Sequence, residues 1–354
     1  MPATLAQMLD LVVQNDASDL HLVAAHPPMV RLHGSLIPIQ SEKPLTEAES
    51  HDLIVELMNE EQKARFEKEK TLDFSYQFEQ KGRFRVNAYM QRGSAAAALR
   101  LIPTNIKSVE ELGLPAFCHT FAKESMGLVL VTGPTGSGKS SSLAAIIEEV
   151  NQTRRDHILT IEDPIEYIYT PAMATISQRE LGQDTLDWGN ALKVAMRQDP
   201  DVILVGEMRD LETIGAALTL AETGHLVFAT LHTNSGPETV DRVIDAFPEH
   251  QQNQVRQQLA SVLKAVMAQR LIVTADGKGR VVAVEIMMKN SAVANLIREG
   301  KTYQLDSILQ TGSEDGMMMF ESHLATLINS GVITYEEALK ATIRPDELTR
   351  LLGK

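Results

Sequence analysis

The spacing of apolar residues changes character along the chain. Near the N-terminus Leu5, Met8, Leu9, Val12 and Val13 recur at helical spacing and predict a first helix. A turn is expected over 16–19. Short alternating runs then predict strands at 20–23, 29–33 and 36–39, the last two joined through Gly34. Helices with plausible N-caps are predicted at 46–58 and 60–69, and strands at 71–78, 82–90 and 94–102. This is the pattern of an α+β domain. Residues 103–125, with Pro103 and Pro115, read as a linker followed by a short helix.

From Gly127 onward the period lengthens. Continuous apolar runs at 128–132, 158–161, 202–205 and 226–231 predict buried strands, and helices at 140–151, 185–197 and 211–222 separate them. Strand–helix alternation of this kind signals a parallel sheet. Further on, helices are expected at 238–247 and 251–269, the second with Val255, Leu259, Val262, Leu263, Val266 and Met267 on one side. A hairpin through Asp276-Gly277-Lys278-Gly279 should join strands at 271–274 and 281–287, and short helices should fill 291–352. Met317-Met318-Met319 suits core filling better than a docking surface. The expected class is therefore α/β. Its parts are an α+β domain at 1–105, a linker at 106–120, a parallel-sheet α/β domain at 121–290 and a C-terminal helical region at 291–354.

The first chemical signal falls where the period changes. Gly133-Pro134-Thr135-Gly136-Ser137-Gly138-Lys139-Ser140 fits G-x-x-x-x-G-K-[ST], between an apolar strand and a helix that opens with Ser141. Glycines let backbone N–H groups converge on an anion, and the helix N-terminus adds free donors. Lys139 can reach the β- and γ-phosphates, and Ser140 can offer a hydroxyl to Mg²⁺. A parallel sheet places ligands beyond the carboxyl ends of its strands. Three other strand ends deliver polar residues there: Glu162 and Asp163, then Glu207, then His232. One carboxylate can hold Mg²⁺ through its water shell, and another can orient or deprotonate an attacking water. Arg83, Arg85, Arg92 and Arg100 admit two readings, as solvent-facing residues of a half-exposed sheet or as phosphate contacts across an interface.

Composition narrows the classes. The chain has 354 residues, 44 % hydrophobic and 23 % charged, with a formal net charge of −14. That balance argues against nucleic acid as the main partner. One cysteine, Cys118, excludes an intrachain disulfide and a four-cysteine zinc site, and its apolar setting predicts a buried thiol. No signal-peptide pattern and no apolar run of about 18 residues is present, so a cytosolic protein is expected.

With these residues assembled, the chain resembles the retraction ATPases of type IV pili, within the secretion-ATPase superfamily. Ser18-Asp19-Leu20-His21-Leu22 and Gly82-Arg83-Phe84-Arg85-Val86-Asn87-Ala88 match its N-terminal signatures. Ile161-Glu162-Asp163-Pro164-Ile165-Glu166 matches its Asp box, and Asp201 to Glu207 with Arg209-Asp210 matches its Walker B strand. Glu222-Thr223-Gly224-His225 through Leu231-His232-Thr233 matches its His box. The resemblance implies a PAS-like N-terminal domain, a RecA-like ATPase domain and a homohexamer using ATP and Mg²⁺. It implies Glu162 as catalytic glutamate, Glu207 acting through the Mg²⁺ water shell, and His225 and His232 coupling nucleotide state to the ring. Arg85 and Arg100 would reach the nucleotide. The implied setting is peripheral, at the inner-membrane pilus base. The implied partners are the platform protein and in some systems a second retraction ATPase, with no nucleic acid. The short N-terminal region and the single cysteine favour retraction over assembly ATPases. The C-terminal signature departs at one place, since Ala292-Val293-Ala294-Asn295-Leu296-Ile297-Arg298-Glu299 has Ala294 where an arginine is typical. An accessory retraction ATPase and a non-hydrolysing nucleotide-binding ring are the alternative expectations.

Overall fold

The computed structural model describes residues 4–15, 17–32, 34–39 and 43–353. Asp16 and His33, expected in a turn and a strand, lie outside the described residues. The chain divides into two compact units, 1–104 with 166–168, and 105–165 with 169–354.

The first unit is a six-stranded antiparallel sheet with helices. It comprises α1 (Leu5–Gln14), β1 (Asp19–Val23), β2 (Met29–Leu32), β3 (Ser35–Pro38), α2 (Glu47–Glu56), α3 (Glu60–Glu69), β4 (Thr71–Phe78), β5 (Gly82–Gln91) and β6 (Ser94–Ile102). The strand order is β3-β2-β1-β6-β5-β4. Local chemistry sets the helix starts. Thr4, Thr46 and Asn59 each accept from the backbone three residues on, while Gln7, Glu49 and Gln62 reciprocate, closing three capping boxes. Strand β5 shows the alternation that orients the sheet. Phe84, Val86 and Ala88 are buried, while Arg85 is exposed. The buried face packs with Leu20, Leu22, Leu99 and Phe74 against Leu5, Leu9, Val12 and Ile54 of the helices.

The second unit centres on a seven-stranded sheet. Its strands are β7 (Gly127–Thr132), β8 (His157–Glu162), β9 (Thr175–Glu180), β10 (Val202–Val205), β11 (Leu226–Leu231), β12 (Leu263–Val273) and β13 (Arg280–Met288). They run in the order β13-β12-β7-β11-β10-β8-β9, parallel except for the β12–β13 hairpin. The helices include α4 (His119–Lys123), α5 (Lys139–Thr153), α6 (Trp188–Ala195), α7 (Leu211–Glu222), α8 (Gly236–Asp245) and α9 (Glu249–Val262). Then come α10 (Ser291–Glu299), α11 (Leu305–Thr311), α12 (Phe320–Asn329), α13 (Tyr335–Ala341) and α14 (Pro345–Leu351). Every residue of β7, β10 and β11 is buried, as expected for a sheet covered on both faces.

Two expectations are corrected. The helix expected over 251–269 ends at Val262, and the chain continues directly as β12. The apolar residues that suggested a helical stripe, Leu263, Val266 and Met267, belong to a strand buried on both faces. Continuous burial of that kind mimics helical spacing over a short window. Strand β9 gave no signal at all. Thr175-Ile176-Ser177-Gln178-Arg179-Glu180 has no apolar run, because it is an edge strand paired only to β8. Elsewhere, Met317 and Met319 are buried in the core. Cys118 is fully buried and free, and burial pushes its thiol up to about 12. Ala294 is 2 % exposed within the main core cluster, so the departure from arginine sits where a small apolar side chain is enclosed.

Candidate nucleotide site

Four adjacent parallel strands, β7, β11, β10 and β8, end on the same edge of the sheet. Their registers pair Thr132 with Leu231 and Val205 with both Ala229 and Ile161. Each strand delivers one functional segment: the P-loop, His232, Glu207 and Glu162 respectively. Neighbouring strands lie about 4.8 Å apart, so the segments form a row along one rim.

The P-loop is held tightly. Gly133 has φ +142°, and a Cβ there would lie 2.3 Å from the Gln269 carbonyl oxygen, so no other residue fits without displacing β12. Gln269 Nε2 donates to the Ser137 carbonyl at 2.8 Å. Lys139 Nζ donates to the carbonyls of Gly133 at 2.8 Å and Pro134 at 3.2 Å, so its ammonium curls over the loop where phosphates would lie. Ser137 is 3 % exposed and its Oγ has no hydrogen-bond partner among the described residues. A buried hydroxyl without a partner, a lysine resting on carbonyls and an open helix N-terminus together fit a phosphate group. Ser140 and Ser141 occupy the first turn of α5. Beside the loop a cavity of about 490 Å³ opens, lined by Pro134, Thr135, Gly136, Arg270, Arg280 and Lys340 among others.

At the end of β8, Glu162 is 9 % exposed and accepts from Thr160 Oγ1 at 2.7 Å and Gln178 Nε2 at 3.4 Å. These hydrogen bonds fix the carboxylate's orientation at the rim. The next residues, Asp163 and Pro164, are joined by a cis peptide bond. Gly206 brings β10 close, since a Cβ there would lie 3.2 Å from the Glu162 Cα. Glu207 has both oxygens engaged, Oε1 by His232 Nε2 at 3.0 Å and Oε2 by Arg209 Nη2 at 2.7 Å. The hydrogen bond from Arg209 leads in holding the Glu207 carboxyl below its ordinary range, with His232 adding to it and burial opposing.

His225 stands apart from this row. It precedes β11, whose far end leads to His232, and the six extended residues of that strand span about 20 Å. Its Nδ1 lies 2.9 Å from the Leu220 carbonyl and 3.2 Å from Thr223 Oγ1 at the end of α7. These hydrogen-bond partners lie at the end of α7, not at the P-loop rim.

In the first unit, Arg85 and Arg100 are directly opposite each other on β5 and β6. The row continues through Asp19 to Arg31. Asp19 accepts from Arg100 Nε at 3.0 Å and lies 3.6 Å from Arg31 Nε. Although burial opposes it, hydrogen bonds from Ser18 and Arg100 hold the Asp19 carboxyl below its ordinary range. Like charges facing across strands repel, so the intervening carboxylate stabilises a face carrying three guanidinium groups. Arg92 lies instead in the exposed β5–β6 turn, at φ +49°.

Sequence reasoning missed Thr160, Gln178 and Gln269. Gln178 and Gln269 lie on the strand that gave no signal and the strand read as helix. Thr160 lies inside an apolar run that predicted only burial.

A P-loop followed by rim carboxylates on neighbouring parallel strands defines a nucleoside-triphosphate-binding protein. The family model described as type II/IV secretion system protein matches residues 1–344, and the chain belongs to that family. Among named relatives, it is 46 % identical over 342 residues to the type IV pilus retraction ATPase PilT of Pseudomonas aeruginosa, spanning 97 % of this chain and 99 % of that one. It is 48 % identical over 316 residues to a twitching motility protein of Neisseria gonorrhoeae, spanning 89 % and 84 %. A crystal structure of the pilus retraction motor PilT with bound ADP superposes with a TM-score of 0.91 at 43 % identity, covering 98 % of this chain and 99 % of that one.

Proposed function

We propose that this chain is the subunit of a homohexameric motor that hydrolyses ATP to power type IV pilus retraction, at the cytoplasmic face of the pilus base. The observation that carries the reading is the row of Lys139, His232, Glu207 and Glu162 on one rim of the sheet, in a chain 46 % identical to PilT over nearly its whole length. Backbone N–H groups of 135–138 and the Lys139 ammonium bind the phosphates. Glu162, oriented by Thr160 and Gln178, positions and deprotonates the attacking water. Mg²⁺ would be held by the hard oxygens of Ser140 and, through water, Glu207, and would neutralise charge on the phosphates. Since both Glu207 oxygens already have partners, contact through its water shell is the reading that leaves the His232 and Arg209 bonds in place. Arg85 and Arg100 are cations presented on an open face, suited to phosphates in the assembled ring. His232, bonded to Glu207, and His225 at the other end of β11 are suited to coupling nucleotide state to the ring. The mechanical partner is an inner-membrane platform protein.

The test is steady-state ATP hydrolysis against protein concentration, with native mass recorded on the same samples. Specific activity rising as a hexamer forms supports the motor. A hexamer with Mg²⁺ and ATP but no turnover contradicts it and moves the assignment to an accessory or scaffolding ring.

A further inference from the structure

Strand β12, which the apolar spacing disguised, does more than widen the sheet. Successive side chains of a strand point to opposite faces. Gln269, 1 % exposed, supports the P-loop from one face through the Ser137 carbonyl. Arg270 works on other elements. Its Nη2 donates to Asn234 Oδ1 at 3.1 Å, two residues beyond His232. Its Nη1 donates to the carbonyl of Ala341, the last residue of α13. Its guanidinium carbon lies 5.5 Å from the ring centroid of Phe320, which begins α12. The side chain also lines the cavity beside the P-loop.

Each contact uses a property specific to arginine. The last carbonyls of a helix lack intrahelical partners and carry the negative end of its dipole, so a cation there is favoured. A planar guanidinium can bond two acceptors and lie against an aromatic ring at once. A lysine ammonium cannot reproduce that fork. The other anchors of the loop it grips run to α8 and β13: Asn234 N–H donates to Glu238 Oε2 at 2.7 Å, Thr233 Oγ1 lies 2.7 Å from Thr239 Oγ1, Ser235 Oγ accepts from Glu238 N–H at 3.3 Å, and Gly236 N–H donates to the buried Glu285 Oε1 at 2.7 Å, so Arg270 is what ties it to α12 and α13.

We propose that Arg270 is a positioning residue of the nucleotide site, holding the loop 232–236 in register with α12 and α13 so that the placement of His232 depends on the C-terminal helices. The catalytic consequence rests on the hydrolytic reading of the Glu207–His232 pair, whereas the mechanical consequence does not. The experiment therefore reads both in the full chain, as ATP turnover and as amide hydrogen exchange.

Arg270→Ala lowers kcat about 10-fold or more with KM for ATP within about twofold, because a displaced loop disturbs chemistry more than phosphate binding. Amides of 233–236 exchange about 10-fold faster or more while those of α5 are unchanged. Arg270→Lys restores the charge without the fork and falls between the two. Asn234 is exposed, so Asn234→Ala tests the same bond without threatening the fold, and it accelerates exchange in the same loop. Unchanged loop exchange in both alanine variants overturns the proposal whatever happens to turnover. Uniformly faster exchange throughout the second unit overturns it as well, because that is the mark of general destabilisation. Faster loop exchange in the two alanine variants, alongside a wild type that hydrolyses no ATP, sustains the positioning role and removes the hydrolytic reading instead.

Discussion

The two sheets carry their polar residues in different places. In the six-stranded antiparallel sheet one face is open, so β5 can alternate Phe84, Val86 and Ala88 inward with Arg85 outward along its length. In the seven-stranded sheet β7, β10 and β11 are buried throughout, and charged groups reach solvent just beyond their carboxyl ends. The difference decides what a polar residue means. At the carboxyl end of a buried strand a carboxylate has few structural reasons to be there, which makes Glu162, the last residue of β8, and Glu207, just beyond β10, the candidates for chemistry. On an open face an arginine needs no explanation beyond solvent, so Arg85 and Arg100, paired across β5 and β6, keep both readings.

Substitutions can break this contrast in order of size. Lys139→Ala removes the cation proposed to meet the phosphates and should lower ATP turnover about 10³-fold, read by steady-state hydrolysis. Phe84→Ala empties a fully buried site in the antiparallel sheet and should cost about 3–5 kcal/mol in chemical denaturation, whatever the nucleotide. Glu285→Gln tests a buried acid of β13. Burial pushes its carboxyl up to about 7, against the hydrogen bond from Gly236 and the charge of Arg344, with Asp306 and Glu321 adding to the rise. Its folded value is above its unfolded one of about 4.5, so the unfolded chain ionises first. Wild-type stability should therefore fall as pH rises from about 4.5 to about 7, and the glutamine variant should lose that slope. The smallest stability effect belongs to Arg85→Ala. On an exposed face it should shift unfolding by under about 0.5 kcal/mol, yet it should lower turnover if the arginine row serves phosphates. An unchanged turnover would return Arg85 to the solvent-facing reading.

How legible the molecule was follows from the same contrast. The parallel strands 128–132, 202–205 and 226–231 announced themselves by unbroken apolar runs, and their ends gave the rim residues. Strand β12 was misread because burial on both faces erases the period of two that marks a strand. Strand β9 was invisible because an edge position needs no apolar residues. Both omissions hid glutamines, Gln269 under the P-loop and Gln178 on Glu162, whose roles exist only once strands are laid side by side. His225 illustrates the converse. Its motif placed it with His232, while the six residues of β11 separate them.

The central claim is that Glu162, held at the rim by Thr160 and Gln178, activates the attacking water. It is tested most directly by ATP hydrolysis and nucleotide binding in Glu162→Gln, measured beside wild type at matched hexamer concentration. The account predicts turnover lower by about 10²-fold or more with nucleotide affinity retained, since the shape of the site is kept and only the base is lost. Turnover equal to wild type would contradict it.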